Sequence, residues 1–178
     1  MGHFLDVALD ESLAALDINC RSVLVLAHYV GRRLRAQGRG GMIIMSSMAA
    51  ESGTANLAVY SATKAFDLNF AESLWMELRD HGVDVVAVRP GSTRTPGWEA
   101  SQPPGALDPD GPAPEGVMAP AEVVAEALDM LGSTPSFVAG EMNRAGEAYF
   151  RSLPRRQVVE IMSGITGVLV PGGPRAPR

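Results

Sequence analysis

The chain has 178 residues, 46% of them apolar and 20% charged, with a net charge of −5. Such a composition describes a globular protein rather than a disordered one, and a chain this long can bury about 70% of its unfolded surface around one core. Basic residues occur only as short pairs such as Arg32–Arg33 and Arg155–Arg156, so the basic face of a nucleic-acid binder is missing. The lone Cys20 allows no intrachain disulfide, and with three scattered His no metal-ligand spacing forms. No strictly apolar run is long enough to span a membrane, and MGHFLDVALDE has neither the basic start nor the apolar centre of a signal peptide. A reducing, cytoplasmic setting is expected.

In chain order, Asp10 reads as an N-cap and the pattern stays helical to Gln37, with Gly38 as the stop. The VLVLA segment at 23–27 is apolar nearly all round, which predicts a helix covered on two sides. Met42–Met45 reads as a short buried parallel strand, followed by a polar loop from Ser46 to Asn56. A second helix is expected from Leu57 to His81, ended by Gly82, with Ala62, Phe66, Phe70, Leu74 and Leu78 as one apolar ladder and Leu68, Ala71 and Trp75 as a second. Val83–Val88 predicts a second strand, stopped by Pro90-Gly91. Residues 92–120 are rich in Pro and Gly and read as a long irregular segment, the kind of connection that usually carries function or disorder.

Pro120 then opens a third helix to Leu131, Ser136–Ala139 forms a weak third strand, and Glu141–Thr166 is helical in two pieces broken near Pro154. The tail PGGPRAPR reads as disordered. This order predicts an α/β fold with a parallel sheet of about three strands. Residues 1–166 form one domain and 167–178 a tail. The strand at 42–45 would leave one edge bare.

Of fifteen basic residues only Lys64 is a lysine, and it follows Tyr60 by four positions. On a helix that spacing puts both on one face. The ammonium would favour the phenolate and lower the tyrosine pKa, making Tyr60 a candidate general acid or base. Each part has a plainer explanation, since a helix Tyr is usually a packed aromatic and a Lys one turn away a solvated charge. The joint pattern argues against coincidence.

Around this pair SSMAAESGTANLAVYSATKAF resembles the active-site region of the short-chain dehydrogenase/reductase family, Tyr-x-x-x-Lys with a Ser thirteen residues before the Tyr, here Ser47. LDINCRS matches the family's helix Asn as Asn19, and VRPGSTRTP its Pro-Gly and Thr as Pro90, Gly91 and Thr95. The resemblance runs from about residue 3 to 140. It implies the C-terminal half of a Rossmann-like, doubly wound sheet and an NAD- or NADP-dependent oxidoreductase that interconverts an alcohol and a carbonyl by hydride transfer. It also implies roles: Tyr60 as general acid/base, Ser47 on the substrate oxygen, Lys64 on the cofactor ribose, Asn19 in a proton relay, and Pro90, Gly91 and Thr95 at the cofactor.

The family's Gly-x-x-x-Gly-x-Gly turn is not found in this sequence, and GRGG at 38–41 and GITG at 164–167 do not stand between a strand and a helix. The resemblance therefore implies that the first four strands lie outside this chain. Two roles remain open: the catalytic half of an enzyme, or an inactive fragment that dimerises or binds a partner. The family resemblance also implies a homodimer or homotetramer paired through helices 10–37 and 57–81. Trp98, Leu107, Val117 and Met118 favour an apolar small-molecule substrate, to be selected by residues 92–120 and 141–166.

Overall fold

A computed structural model describes residues 2–102, 104–108 and 111–167. Three parallel strands lie in the order β1 (Gly40–Met45), β2 (Val83–Arg89), β3 (Ser136–Val138). Gly40 pairs with Val83 through to Met45 with Val88, and Ala87 with Ser136 through to Arg89 with Val138. Around the sheet stand α1 (Leu9–Leu16), α2 (Ser22–Gln37), α3 (Ala58–Leu78), the short α4 (Pro96–Ala100), α5 (Pro120–Met130), α6 (Glu141–Arg151) and α7 (Arg155–Gly167). The α/β class and the three strands agree with the sequence expectation. The tail from residue 168 onward lies outside the described residues.

Strand β2 explains why its sequence shows no polar alternation. Val83, Val85 and Ala87 pack with Met42, Ile44, Ala27, Ala71 and Leu78 on one face. Val86 and Val88 pack with Val123 and Ala127 of α5 on the other. A parallel strand covered on both faces needs apolar side chains throughout. Each buried Val contributes about 1.5–3 kcal/mol relative to an exposed one. Gly82 turns the chain into β2 at φ 69, in the left-handed region, and a side chain there would strike the backbone of Gly38.

The first helix is interrupted, which its sequence pattern does not signal. Residues Asp17–Arg21 form a π-helical turn between α1 and α2. Asp10 lies inside α1 rather than capping it. The two-sided cover expected for VLVLA is also absent: α2 buries Ala27 and Gly31, while Leu24, Val25, Leu26, Tyr29 and Val30 remain exposed. Gly31 lets α2 approach Met42 and Leu78 within ordinary van der Waals contact. By length and composition the stretch Leu9–Gln37 could cross a membrane, but the core helix of a soluble protein and a signal sequence pass the same weak test.

On α3 the buried stripe is Ser61, Thr63, Asp67, Ala71 and Leu78. Of the expected ladder only Leu78 is fully buried; Phe66 and Phe70 stack on each other, half-buried, and Ala62 is exposed. The N-terminal half of the face turned inward is polar, and the site is built there.

Candidate active site

The C-terminal ends of β1 and β2 hold the loop after β1 in place. The Ser46 N–H donates to Val88 O at 2.8 Å, and the Met48 N–H to Pro90 O at 3.0 Å. The Ser46 hydroxyl donates to Lys64 O at 2.7 Å, tying α3 to the same point. Ser47 sits between these anchors. Its Oγ accepts from the Ala49 N–H at 3.1 Å and caps the single turn Met48–Ala50, leaving the hydroxyl proton available to a ligand.

Tyr60 and Lys64 stand one turn apart on α3, with Lys64 Nζ 6.0 Å from the centre of the Tyr60 ring. Tyr60 is 39% exposed, so its phenol is open to a ligand. Lys64 is held: Nζ donates to Met45 O at 2.8 Å and to Asp67 Oδ2 at 3.0 Å. Asn19, projected by the π-helical turn, donates through Nδ2 to Thr63 Oγ1 at 3.0 Å, and Thr63 Oγ1 donates to Tyr60 O at 2.8 Å. Such turns insert one residue into a helix and frequently mark functional positions. Asn19 thus reaches the residue next to Lys64.

Pro90 joins the cluster through its carbonyl. At Gly91 a side chain would run into Asn143 of α6, whose Cγ would lie 2.8 Å from the added carbon. Thr95 caps α4, its Oγ1 accepting from the Trp98 N–H at 3.2 Å, and no described contact ties it to the Tyr60 cluster.

Two groups escaped the sequence reading. Asp67 is fully buried beneath Lys64, and burial pushes its carboxyl upward against the opposing hydrogen bond and charge of Lys64. Its signal was the i, i+3 spacing from the only lysine. Arg89, 5% exposed, sits between Glu51 and Glu147 (2.6 Å to the latter) and ties the Ser47 loop to α6. That link spans elements far apart in sequence, and no local pattern announces it. Burial, reinforced by Asp67 and opposed by Lys64, also raises the Cys20 thiol, which disfavours the thiolate a nucleophile needs.

Beside Tyr60 a cavity of about 160 Å³ is lined by Phe4, Val7, Glu11, Ser12 and Ala15. Ligand sites usually span about 300–1,000 Å³, so it takes part of a ligand at most. Its walls come from the N-terminal segment and from residues 56–60 at the start of α3.

The family described as short chain dehydrogenase matches residues 1–104. The chain belongs to the short-chain dehydrogenase family. It is 33% identical over 147 residues to a 7beta-hydroxysteroid dehydrogenase of Collinsella aerofaciens, covering 80% of this chain and 54% of that protein. A solved structure described as giving insights into 7beta-hydroxysteroid dehydrogenase stereoselectivity superposes with a TM-score of 0.77 at 28% identity, covering 90% of this chain and 61% of that one. A short-chain dehydrogenase from Sphingobium yanoikuyae in complex with NADPH shares the fold at a TM-score of 0.62 and 24% identity, covering 86% of this chain and 61% of that one. The chain spans about half the length of the curated relatives it matches. Its Rossmann-like fold and membership of an oxidoreductase family follow from these matches.

Proposed function

We propose that residues 1–166 form one unit that carries the catalytic residues of an NAD(P)-dependent oxidoreductase interconverting an alcohol and a carbonyl, with Tyr60 as general acid/base. The observation that carries this is the lone lysine, fixed at the end of β1 with its ammonium 6.0 Å from the Tyr60 ring. A bound nicotinamide would supply or accept the hydride. Tyr60 gives its proton to the forming alkoxide, or takes it from the alcohol in reverse. Lys64 holds its positive charge one turn along α3 from the phenol and would meet the cofactor ribose. Ser47 offers its hydroxyl proton to the substrate oxygen and orients it. Asn19, through Thr63, fixes the backbone between Tyr60 and Lys64.

The donor set fits the nicotinamide and ribose side of such a cofactor: Tyr60 is open and Lys64 keeps one N–H uncommitted among the described contacts. Pro90, Gly91 and Thr95 would border it. The choice between NAD and NADP has no residue here to set it. No Gly-x-x-x-Gly-x-Gly turn is present, so fluorescence titration of this chain alone with NADH or NADPH is expected to show no binding; micromolar affinity would reject that expectation.

For the substrate, the named relatives and the apolar cavity wall favour a hydroxysteroid-type alcohol over a sugar. Exposed Leu24, Leu26, Tyr29 and Val30 suit pairing of two copies through α2 and α3, and the free Cys20 suits the cytoplasm. The test is turnover: the chain completed with the part of the Collinsella aerofaciens relative that it does not span should consume reduced cofactor with a 7-keto steroid and far more slowly with a keto sugar. Equal rates with both would reject the substrate class.

A further inference from the structure

Asp67 occupies a position that packing alone would fill differently. It lies in the inward stripe of α3 with Thr63, Ala71 and Leu78, at 0% exposure. An apolar side chain there would avoid the cost of burying a carboxylate, and replacing a buried ion pair by apolar groups is often neutral or stabilising. The carboxylate is incompletely paired as well, since Oδ1 has no hydrogen-bond partner among the described residues. Only Oδ2 is engaged, at 3.0 Å from Lys64 Nζ, whose side chain is itself 14% exposed.

An ammonium has three N–H donors. Asp67 Oδ2 takes one and Met45 O, at the end of β1, takes another. Both acceptors are fixed, one by burial in the helix stripe and the other by the strand. One N–H is then left uncommitted among the described residues, and the ammonium is kept 6.0 Å from the Tyr60 ring. We propose that Asp67 is the positioning residue of this site: it pins the Lys64 ammonium against the end of β1, leaves a single donor for a ligand, and thereby sets where the positive charge stands relative to the Tyr60 phenol. The consequence for catalysis rests on the function proposed above, but the pinning itself does not.

The lone lysine makes this directly observable. In the 178-residue chain labelled with 15N-lysine, only one side-chain ammonium exists. At fixed neutral pH it is expected to give one correlation whose protons exchange slowly with water. Asp67→Asn keeps the shape and a neutral acceptor but removes the charge; it should speed exchange by at least about tenfold, as loss of one charge-assisted hydrogen bond implies. Asp67→Ala should speed it further. Backbone amide spectra and melting temperatures show whether each variant folds, and the Asn variant stands as the test if the Ala variant does not.

A merely structural role would move the melting temperature and leave the ammonium exchange of the folded protein unchanged. Unchanged exchange in Asp67→Asn, or a wild-type ammonium that exchanges like free lysine, would overturn the proposal. Neither outcome touches the role of Tyr60, which is tested by turnover.

Discussion

Strand β2 buries every residue from Val85 to Arg89, whereas the helical stretch Leu9–Gln37 leaves Leu26 63% and Tyr29 70% exposed. Both segments are apolar in sequence. The difference lies in what covers them. β2 has a helix layer on each face and a strand on each side, so its apolar residues are consumed by the fold. The α1–α2 stretch packs one narrow line, with Ser12, Ala27 and Gly31 buried and Val23 and Leu34 partly so, and Asn19 donates to Thr63. Apolar content alone therefore does not say whether a segment stabilises this chain or is free to meet another surface.

Substitutions can break that contrast from either side. The largest effect is expected at the centre of the sheet: Val85→Asp buries a charge with no partner and should cost more than about 3 kcal/mol, read as loss of a cooperative unfolding transition in urea. A native-like transition would mean that β2 is not the core. Next comes Arg89→Met, which strands Glu51 and leaves Glu147 with Arg151 alone; removing the central member of this buried charge network should cost about 3–5 kcal/mol by the same measurement. A cost near zero would show the network to be solvated.

Asp67 gives a smaller effect with a definite sign. Its carboxyl is raised above the ordinary 3.8, so the folded state holds the proton to higher pH than the unfolded chain. Stability from this group is therefore lost as pH rises from near 3.8 through the folded value, and the deficit persists above it. The stability of wild type minus that of Asp67→Asn should fall as pH is raised through this window; a difference that rises would contradict the assignment. Asn19→Ala should cost about 1 kcal/mol for one hydrogen bond, or roughly 2–4 °C in melting temperature. Smallest of all, Leu26→Glu should change stability by less than about 0.5 kcal/mol while reducing self-association in sedimentation. A large loss of monomer stability there would mean that the face is already packed.

The sequence pattern revealed the strands and most helix ends because they depend on local signals: the Val83–Val88 run, the glycine stops at Gly38 and Gly82, and Pro120 opening α5. The spacing of Ser47, Tyr60 and Lys64 was legible for the same reason, and the structure gathers Asn19, Ser46, Tyr60, Lys64 and Pro90 around the ends of β1 and β2. What stayed hidden depends on tertiary contact. The π-helical turn is paid for by Asn19 reaching Thr63, and no propensity encodes it. Asp67 is not marked by the sequence because the apolar ladder of α3 falls on the Phe66–Phe70 line, one position away from the stripe that is buried. The clamp of Arg89 by two glutamates needs the folded chain to exist.

The most direct measurement is turnover of the completed chain with Tyr60 replaced by Phe, alongside its backbone amide spectrum. Loss of the hydroxyl alone should leave the fold unchanged and lower the rate by about 10²–10⁴-fold, the contribution of a positioned proton donor. Wild-type turnover in Tyr60→Phe, with the fold intact, would contradict the account.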